Sequence, residues 1–567
     1  MLLSKLNLLA TAPDGVAKLR ELILTLAVQG KLLPQDPSDE PASVLLKKIR
    51  AEKDRLIAEG KIKRDKSLAE IAEEERPFEL PVGWEWVRLA DVVQVLNGRA
   101  YGKQELLDAG TPVLRVGNLF TSNHWYYSNL ELEPAKYCEP GDLLYAWSAS
   151  FGPFIWSGPK AIYHYHIWKL EPLCRDAFDT SYFHMYLKEK TAEIKAAGHG
   201  VSMVHMTKEK MEKIVVPYPP LTEQSRIVTR VEDLMRLCDA LQAKARLEAT
   251  QHAQLVATLL GTLTAASRAG GPDASASTPG EPADPLHARW LRVAPHFDLL
   301  LDRPEAVDAL EQTILQLAVR GHLVPQDPQD EPASALLKKI RAEKDKLIAE
   351  GKIKRDKPLP PIADGEKPFD LPQGWEWVRL GSLTSLVTSG SRSWKDYYAE
   401  EGATFIRSQD IKYDRLEFDE RAFVKLPSGT EGVRTQVCLC DVLITITGAN
   451  VGKAAVVSEL ITEAYVSQHV ALVRLQNARL VDYLHLWLVS EHEGRKLLLM
   501  SSYGAKPGLN LQNINDLLVP LPPLAEQSRI VARVASLRAL WLELRQRLTT
   551  ARTQQALLAQ ALVQEAA

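Results

Sequence analysis

The sequence predicts an α+β protein: two mixed α/β domains separated by antiparallel long-helix (coiled-coil) shared regions, set out as a pseudo-two-fold internal repeat. Three observations carry this reading. One frame is written twice. Each copy encloses a β-rich stretch that differs between the copies, and each copy closes on a long helical pattern with an apolar seam.

The repeat is the strongest signal. LAVQGKLLPQDPSDEPASVLLKKIRAEKDRLIAEGKIKRDK (26–66) returns as LAVRGHLVPQDPQDEPASALLKKIRAEKDKLIAEGKIKRDK (317–357), an ungapped offset of 291 residues. It continues into PFELPVGWEWVRL (77–89) and PFDLPQGWEWVRL (368–380). A second block, VPYPPLTEQSRIVTRV (216–231), returns as VPLPPLAEQSRIVARV (519–534) at an offset of 303, so the enclosed stretches differ in length by 12 residues. Two copies of so long a period are not a solenoid. Like frames around unlike inserts suggest one scaffold presenting two specificities.

In order along the chain, 1–80 is a shared helical region. Apolar residues at helical spacing over 44–62, after the turn PQDP, predict a helix, and 335–353 repeats it. The first mixed domain occupies 81–220. A long shared helix follows over 221–267, opened by Thr222-Glu223-Gln224 after a proline-rich break. Its seam is Ile227, Val231, Leu234, Cys238, Leu241 and Ala245, stepping by four and three as coiled coils do. The stretch 268–285, RAGGPDASASTPGEPADP, has the composition of a flexible linker. The frame repeats over 286–370, the second mixed domain spans 371–523, and 524–567 is a second long helix with the seam Ile530, Val534, Leu537, Trp541, Leu544 and Leu548. Because the frame after the linker resembles the N-terminal one, the start and end of the chain can pair as the two sides of the linker do.

Composition sets bounds on function. At 567 residues the chain exceeds one core, and domains usually run about 100–200 residues, so three or four folded units are expected. Its 46% hydrophobic and 25% charged residues are ordinary for a soluble globular protein. The apolar runs fall well short of the ~20 residues of a membrane span, and the N-terminal stretch lacks a signal-peptide core, so a cytoplasmic protein is expected. Cys138, Cys174, Cys238, Cys438 and Cys440 are irregularly spaced and read as reduced core thiols. A net charge of −3 does not suit a protein that grips DNA by bulk electrostatics alone, but leaves room for one working inside a larger complex.

Both inserts alternate short β runs with glycine turns and align loosely. Arg115 falls opposite Arg407, Asn118 opposite Asp410, Asp142 opposite Asp441, and His166 opposite His469. They read as one fold with different surface loops. Those loops carry residues suited to DNA: Arg99, Tyr101 and Lys103 after Asn97-Gly98, and Arg392, Trp394 and Lys395 after Ser389-Gly390. Arginine can hold guanine by two hydrogen bonds, Asn or Gln adenine, and Lys a phosphate. Candidate contacts are Arg99, Tyr101, Lys103, Arg115, Asn118 and Lys160 in the first insert. In the second they are Arg392, Lys395, Arg407, Gln409, Asn450 and Lys453. The aromatic runs His124–Tyr127 and Tyr163–His166 can stack on bases, although core or edge-strand packing accounts for them as simply.

Catalytic signatures are missing. Gly448-Ala-Asn-Val-Gly452-Lys453-Ala454 has three residues between its glycines and no hydroxyl at Ala454, so it reads as a strand turn with a DNA-facing lysine, not a phosphate loop. No amino-methyltransferase tetrapeptide, methyl-donor loop, nuclease carboxylate cluster, metal-ligand set or nucleophile triad is found.

At this point the chain resembles the specificity (S) subunits of type I restriction-modification systems. The resemblance rests on two inserts, each entered by LP.GW.W..L (80–89, 371–380) and closed by P.PPL.EQ..IV (217–228, 520–531). It covers nearly the whole chain. It implies that the inserts are target-recognition domains, each reading half of a split duplex-DNA site. It also implies shared helices that dock two methyltransferase (M) subunits, through Glu223, Gln224 and Arg226 in one copy and Glu526, Gln527 and Arg529 in the other. Two restriction-translocase (R) subunits can join them. S-adenosylmethionine, ATP and magnesium would serve those partners, with no cofactor, metal or catalytic residue in this chain. A seam of roughly 25–30 residues would span ~40–45 Å, about one turn of duplex, so the helices would act as a ruler between half-sites. The competing reading is a coiled-coil scaffold whose inserts bind proteins.

Overall fold

The computed structural model describes residues 9–62, 68–148, 151–197, 206–264, 285–353, 355, 358–390, 394–427, 434–502 and 508–566. They form two compact units, Met1–Leu247 with Arg552–Ala567, and Glu248–Ala551. Each is α+β, and the two are built alike. The stretch 268–285 expected as a linker lies outside the described residues, apart from Pro285, where a helix Pro285–Val293 begins.

In the first unit α1 (Gly15–Val28) and α2 (Ala42–Ala58) form the helical frame. The sequence pattern carries α2 on to 62, but the helix stops at Ala58 because Gly60 takes a left-handed conformation, φ 69°, and closes it. The frame then enters a clasp: β1 (Glu85–Arg88) pairs antiparallel with β10 (Val215–Tyr218), Glu85 opposite Tyr218. The insert leaves from one strand of this clasp and returns on the other. Within it lie two four-stranded sheets. One has the order β2 (Val93–Asn97), β9 (Ile167–Pro172), β6 (Leu143–Ala146), β7 (Gly152–Ile155). The other runs β4 (Tyr126–Ser128), β3 (Thr111–Leu114), β8 (Ala161–Tyr163), β5 (Tyr137–Cys138).

Strand β6, LLYA, is buried on both faces, which is why it lacks polar alternation. Leu144 and Ala146 face the core between the sheets with Leu114 and Tyr163. Leu143 and Tyr145 face the core that holds α3 (Thr180–Ala197), where the Tyr145 hydroxyl meets Thr191 at 2.9 Å. After the clasp, α4 (Leu221–Thr264) runs for 44 residues.

The second unit repeats the plan with α5 (Pro304–Val319), α6 (Ala333–Ala349) and the clasp of β11 (Glu376–Arg379) with β20 (Leu518–Leu521), in the same register. Its sheets are β12 (Thr384–Ser389), β19 (Val470–Leu475), β16 (Val442–Thr445), β17 (Ala454–Val456), and β13 (Tyr398–Ala399), β15 (Phe423–Val424), β14 (Ala403–Ile406), β18 (Ala464–Val466). Strand β13 stands where the first unit has the single antiparallel bridge of Leu107 to Tyr127. Helix α7 (Val481–Val489) follows these sheets, and α8 (Leu524–Ala566) follows the clasp.

The four residue pairs aligned by sequence occupy equivalent places. Asn118 caps the Arg115 amide at 3.1 Å as Asp410 caps that of Arg407 at 2.8 Å. Asp142 accepts from the Glu139 amide as Asp441 does from Cys438. The carbonyls of His166 and His469 accept from Trp147 and Ile446. Each buried aspartate is neutralised from the strand beside it, Asp142 by Lys169 at 2.8 Å and Asp441 by Arg474 at 2.7 Å. In the turn before it, Gly141 has φ 94°, whereas the second unit sets Cys440 at φ 67°, a conformation that disfavours a Cβ. Cys440→Gly is therefore expected to stabilise the second unit by about 1 kcal/mol. Urea unfolding would show it as a raised midpoint, and a lowered one would refute the strain. The cysteines correct one expectation: Cys138 and Cys238 are buried, but Cys438 is exposed and Cys174 and Cys440 only partly covered.

The seams are real but shorter than their sequence pattern. Ile227, Val231 and Cys238 are buried with Leu19, Ile23 and Ala27 of α1, and Ile530 and Val534 with Leu315 and Ala318 of α5. Trp541 is buried too, while Leu241, Leu544 and Leu548 are half-buried and Ala245 is exposed. Helix α1 has only 14 residues, about 21 Å, so the α4 seam outruns it. Asp308 meets Arg545 and Glu311 meets Arg538, so α5 and α8 run antiparallel. The corresponding contact in the first unit is Arg20 with Asp239 at 2.5 Å, with the signs reversed. The ends of the long helices find cover as well. Ala559 of α8 is buried in the first unit's core, where Lys18 donates to the Ala556 carbonyl at 3.1 Å. Val256, Leu260 and Leu263 of α4 are buried in the second unit with Val293, Leu300 and Ala306. The first helix and the last turns of the chain thus meet, as the repeat implied.

Candidate nucleic-acid interface

In the first unit, strand direction decides which loops meet. β3 and β8 are parallel, so Arg115 and His164, each one residue past a strand, emerge at the same end. The turn after β2 is drawn to that place: the Arg99 amide donates to Tyr163 and its carbonyl accepts from Tyr165. Gly98 makes the approach possible, because a Cβ there would lie 2.3 Å from the His164 carbonyl oxygen; Gly390 stands equally close to Val466 in the second unit. The result is a cleft of about 330 Å³ lined by Arg115, Asn118, His124, Tyr126, His164 and His166. Burial, then repulsion from His166 and Arg115, brings the His164 pKa down to about 4, and burial lowers His166 as well. Both rings are neutral near pH 7 and offer hydrogen bonds, not charge.

The candidate residues divide. Arg115 is exposed, lies 5.4 Å over the Tyr126 ring, and makes no ion pair among the described residues. Asn118 holds the turn and donates to the His124 carbonyl at 2.7 Å. Arg99 belongs to the same loop cluster but is held by Glu105 through two bonds of 3.0 and 2.7 Å, which the sequence reading did not foresee. Tyr101 packs under Arg99, and Lys103 is exposed. Lys160 lies apart from this cluster. It precedes β8, at the opposite end from Arg115 and His164, and pairs with Glu139 at 3.2 Å. The aromatic runs also divide: Tyr163 is fully buried core, while Tyr165 is exposed beside Trp147, whose indole N–H donates to the Tyr165 carbonyl.

The second unit gathers Arg407, Gln409, Asn450, Lys453 and His469 at the matching end. Gly448 to Lys453 form the turn of the β16–β17 hairpin, with the Thr445 amide donating to the Lys453 carbonyl, and no helix follows. The Asn450 side chain donates to the Ser408 carbonyl at 3.3 Å and ties this turn to the one after β14. Lys453 is half-buried without an ion pair among the described residues, and Gln409 is exposed. Arg407 is bound to Asp410 at 3.2 Å. Arg392 and the side chain of Lys395 lie outside the described residues; Trp394 is buried core.

The proposed partner-docking side chains are corrected most. Glu223, Gln224, Glu526 and Gln527 are at most 1% exposed. The Glu223 carboxylate accepts from the Trp84 indole at 2.8 Å, as Glu526 does from Trp375 at 2.9 Å, and burial raises both carboxyl pKa values. Gln224 accepts from the Asp179 amide and donates to the Pro219 carbonyl. Arg226 pairs with Asp39, and Arg529 with Asp330. These residues lock the clasp to the long helix. The signal was present in the sequence, since the tryptophan and the glutamate recur together in both frames.

Residues 81–251 and 372–550 match the type I restriction modification DNA specificity domain. The chain is 35% identical to the type I restriction enzyme EcoAI specificity subunit of Escherichia coli, over 97% of this chain and 94% of that one. It is 34% identical to the EcoEI specificity subunit of the same organism, with the same coverage. A solved chain from work on complex assembly and conformational transition of the type I R-M system has a TM-score of 0.48 and 19% identity, covering 86% of this chain and 99% of that one. With one family domain on each insert and its following helix, and likeness to specificity subunits along nearly its full length, the chain belongs to the type I restriction-modification specificity family.

Proposed function

We propose that this chain reads a split duplex-DNA target, one half-site per insert, on behalf of a type I restriction-modification complex. The observation that carries the reading is that two like folds set unlike polar loops at the same strand ends. A scaffold with two equivalent docks would not need that difference. The chain itself is non-catalytic and holds no cofactor; S-adenosylmethionine, ATP and magnesium serve the partners. Two methyltransferase subunits dock on the shared helices, and two restriction-translocase subunits can join. With Glu223, Gln224, Glu526 and Gln527 buried and Arg226 and Arg529 held in ion pairs, docking falls to exposed positions of the long helices, such as Leu237 and Leu540. The complex is cytoplasmic; no described helix is long and apolar enough to cross a membrane. The long helices set the unread spacer between half-sites. Genome-wide methylation mapping after co-expression with a cognate methyltransferase subunit tests this. The expected result is a split motif with a fixed gap, methylated in both halves. With both proteins folded and bound, methylation independent of this chain would refute it.

A further inference from the structure

The two inserts carry the same arginine on the same turn, yet the turn treats it in opposite ways. In both, the residue three positions on caps the arginine's own amide. In the second unit that residue is Asp410, 2% exposed, and its two oxygens also take the Arg407 guanidinium through Nε and Nη2, both at 3.2 Å; Nη2 further donates to the Glu420 carbonyl. Arg407 is folded inward and its fork is filled. In the first unit the cap is Asn118, which carries no charge and uses its amide on the His124 carbonyl. Arg115 stays exposed, braced on the face of Tyr126 and beside a cleft whose two nearest histidines are neutral.

We propose that the cap residue decides whether this arginine reads DNA: with Asn118 the Arg115 fork takes the paired O6 and N7 acceptors of a guanine in the first half-site, while with Asp410 the Arg407 fork is closed and serves the turn. This deepens the proposed function and rests on it. The second half-site is then read by other residues of its cluster, with Gln409, Asn450 and Lys453 nearest. A guanidinium fork fits a guanine edge at two points, whereas a lysine supplies charge without the fork.

The test is methylation mapping with the assembled, co-expressed complex carrying Arg115→Ala, Arg115→Lys or Asp410→Asn. Arg115 is exposed, so its variants leave the fold intact. Both are expected to lose discrimination at one guanine of the first half-site by about 10–100-fold, with the second half-site unchanged. Asp410→Asn opens the fork of Arg407 and is expected to change the preference at one position of the second half-site only. Rescue by Arg115→Lys, with Arg115→Ala weakening all sites equally and flattening the salt dependence, would mean a phosphate contact and overturn the assignment. Unchanged second-half letters in a folded Asp410→Asn complex would overturn the role of the cap. A wild-type map without a split motif would instead remove the functional reading itself.

Discussion

Trp84→Ala is expected to destabilise the first unit by about 3–5 kcal/mol, and Trp375→Ala the second by a similar amount. Each tryptophan is 5% exposed, so truncation leaves a cavity where the clasp, the frame and the long helix meet. Gly30 shows how tight the site is, since a Cβ there would lie 2.9 Å from the Trp84 ring. The indole is also a donor. Trp84 bonds Glu223 and, at 3.2 Å, Gln35, so its loss leaves a buried carboxylate without that partner. Trp84→Phe keeps most of the volume but removes the N–H and part of the fused ring, and should lose about 1–3 kcal/mol. Denaturant unfolding followed by a probe in the affected unit measures both. A loss below about 1 kcal/mol for Trp84→Ala would show that the lock is not a main support of the unit.

Inserting four residues, one helical turn, into the exposed stretch of α4 between Gln242 and Gln251 is expected to lengthen the spacer of the methylated motif and leave both half-sites unaltered. Residues 242–251 are exposed, while Ile227 to Cys238 on one side and Val256 to Leu263 on the other are packed. The insertion therefore adds about 6 Å of helix without touching either packed end. Duplex DNA rises about 34 Å per ten base pairs, so a gain of one or two base pairs is expected. Methylation at the original spacing should fall by on the order of 100-fold, as for a site mismatched at more than one position. Sequencing the methylated sites decides it, and changed half-site letters at constant spacing would refute the ruler.

Much of this architecture was legible because it is carried by periodicity and repetition. The seams, the clasp motifs and the four aligned pairs from Arg115/Arg407 to His166/His469 all depend on local spacing, which duplication makes visible. What the sequence hid depends on distant partners. Glu223 looks like an exposed helix-start residue until Trp84, 139 positions earlier, is brought against it. Arg407 looks like a free cation until its turn closes on Asp410. Lys160 and Arg115 look alike as loop cations until the direction of β8 sets them at opposite ends. Each miss concerns where a polar side chain ends, and composition does not fix that.

The reversed signs of the helix contacts bear on how a chain with two nearly interchangeable frames assembles at all. Either early helix has the apolar face to pack on either late one, so hydrophobic matching alone leaves the sorting ambiguous. Arg20 facing Asp239, and Glu311 with Asp308 facing Arg538 and Arg545, remove that ambiguity. An exchange would set Arg20 beside Arg538 and Glu311 beside Asp239, turning two attractions into repulsions, and would leave Arg545 opposite Ala17 without its partner. Partly exposed pairs of this kind contribute only about 0–1 kcal/mol each as stability, but as discrimination the whole swing between attraction and repulsion counts. Each copy thus carries an address in the sign of its charges, and nascent halves that share almost every other contact can still tell themselves apart.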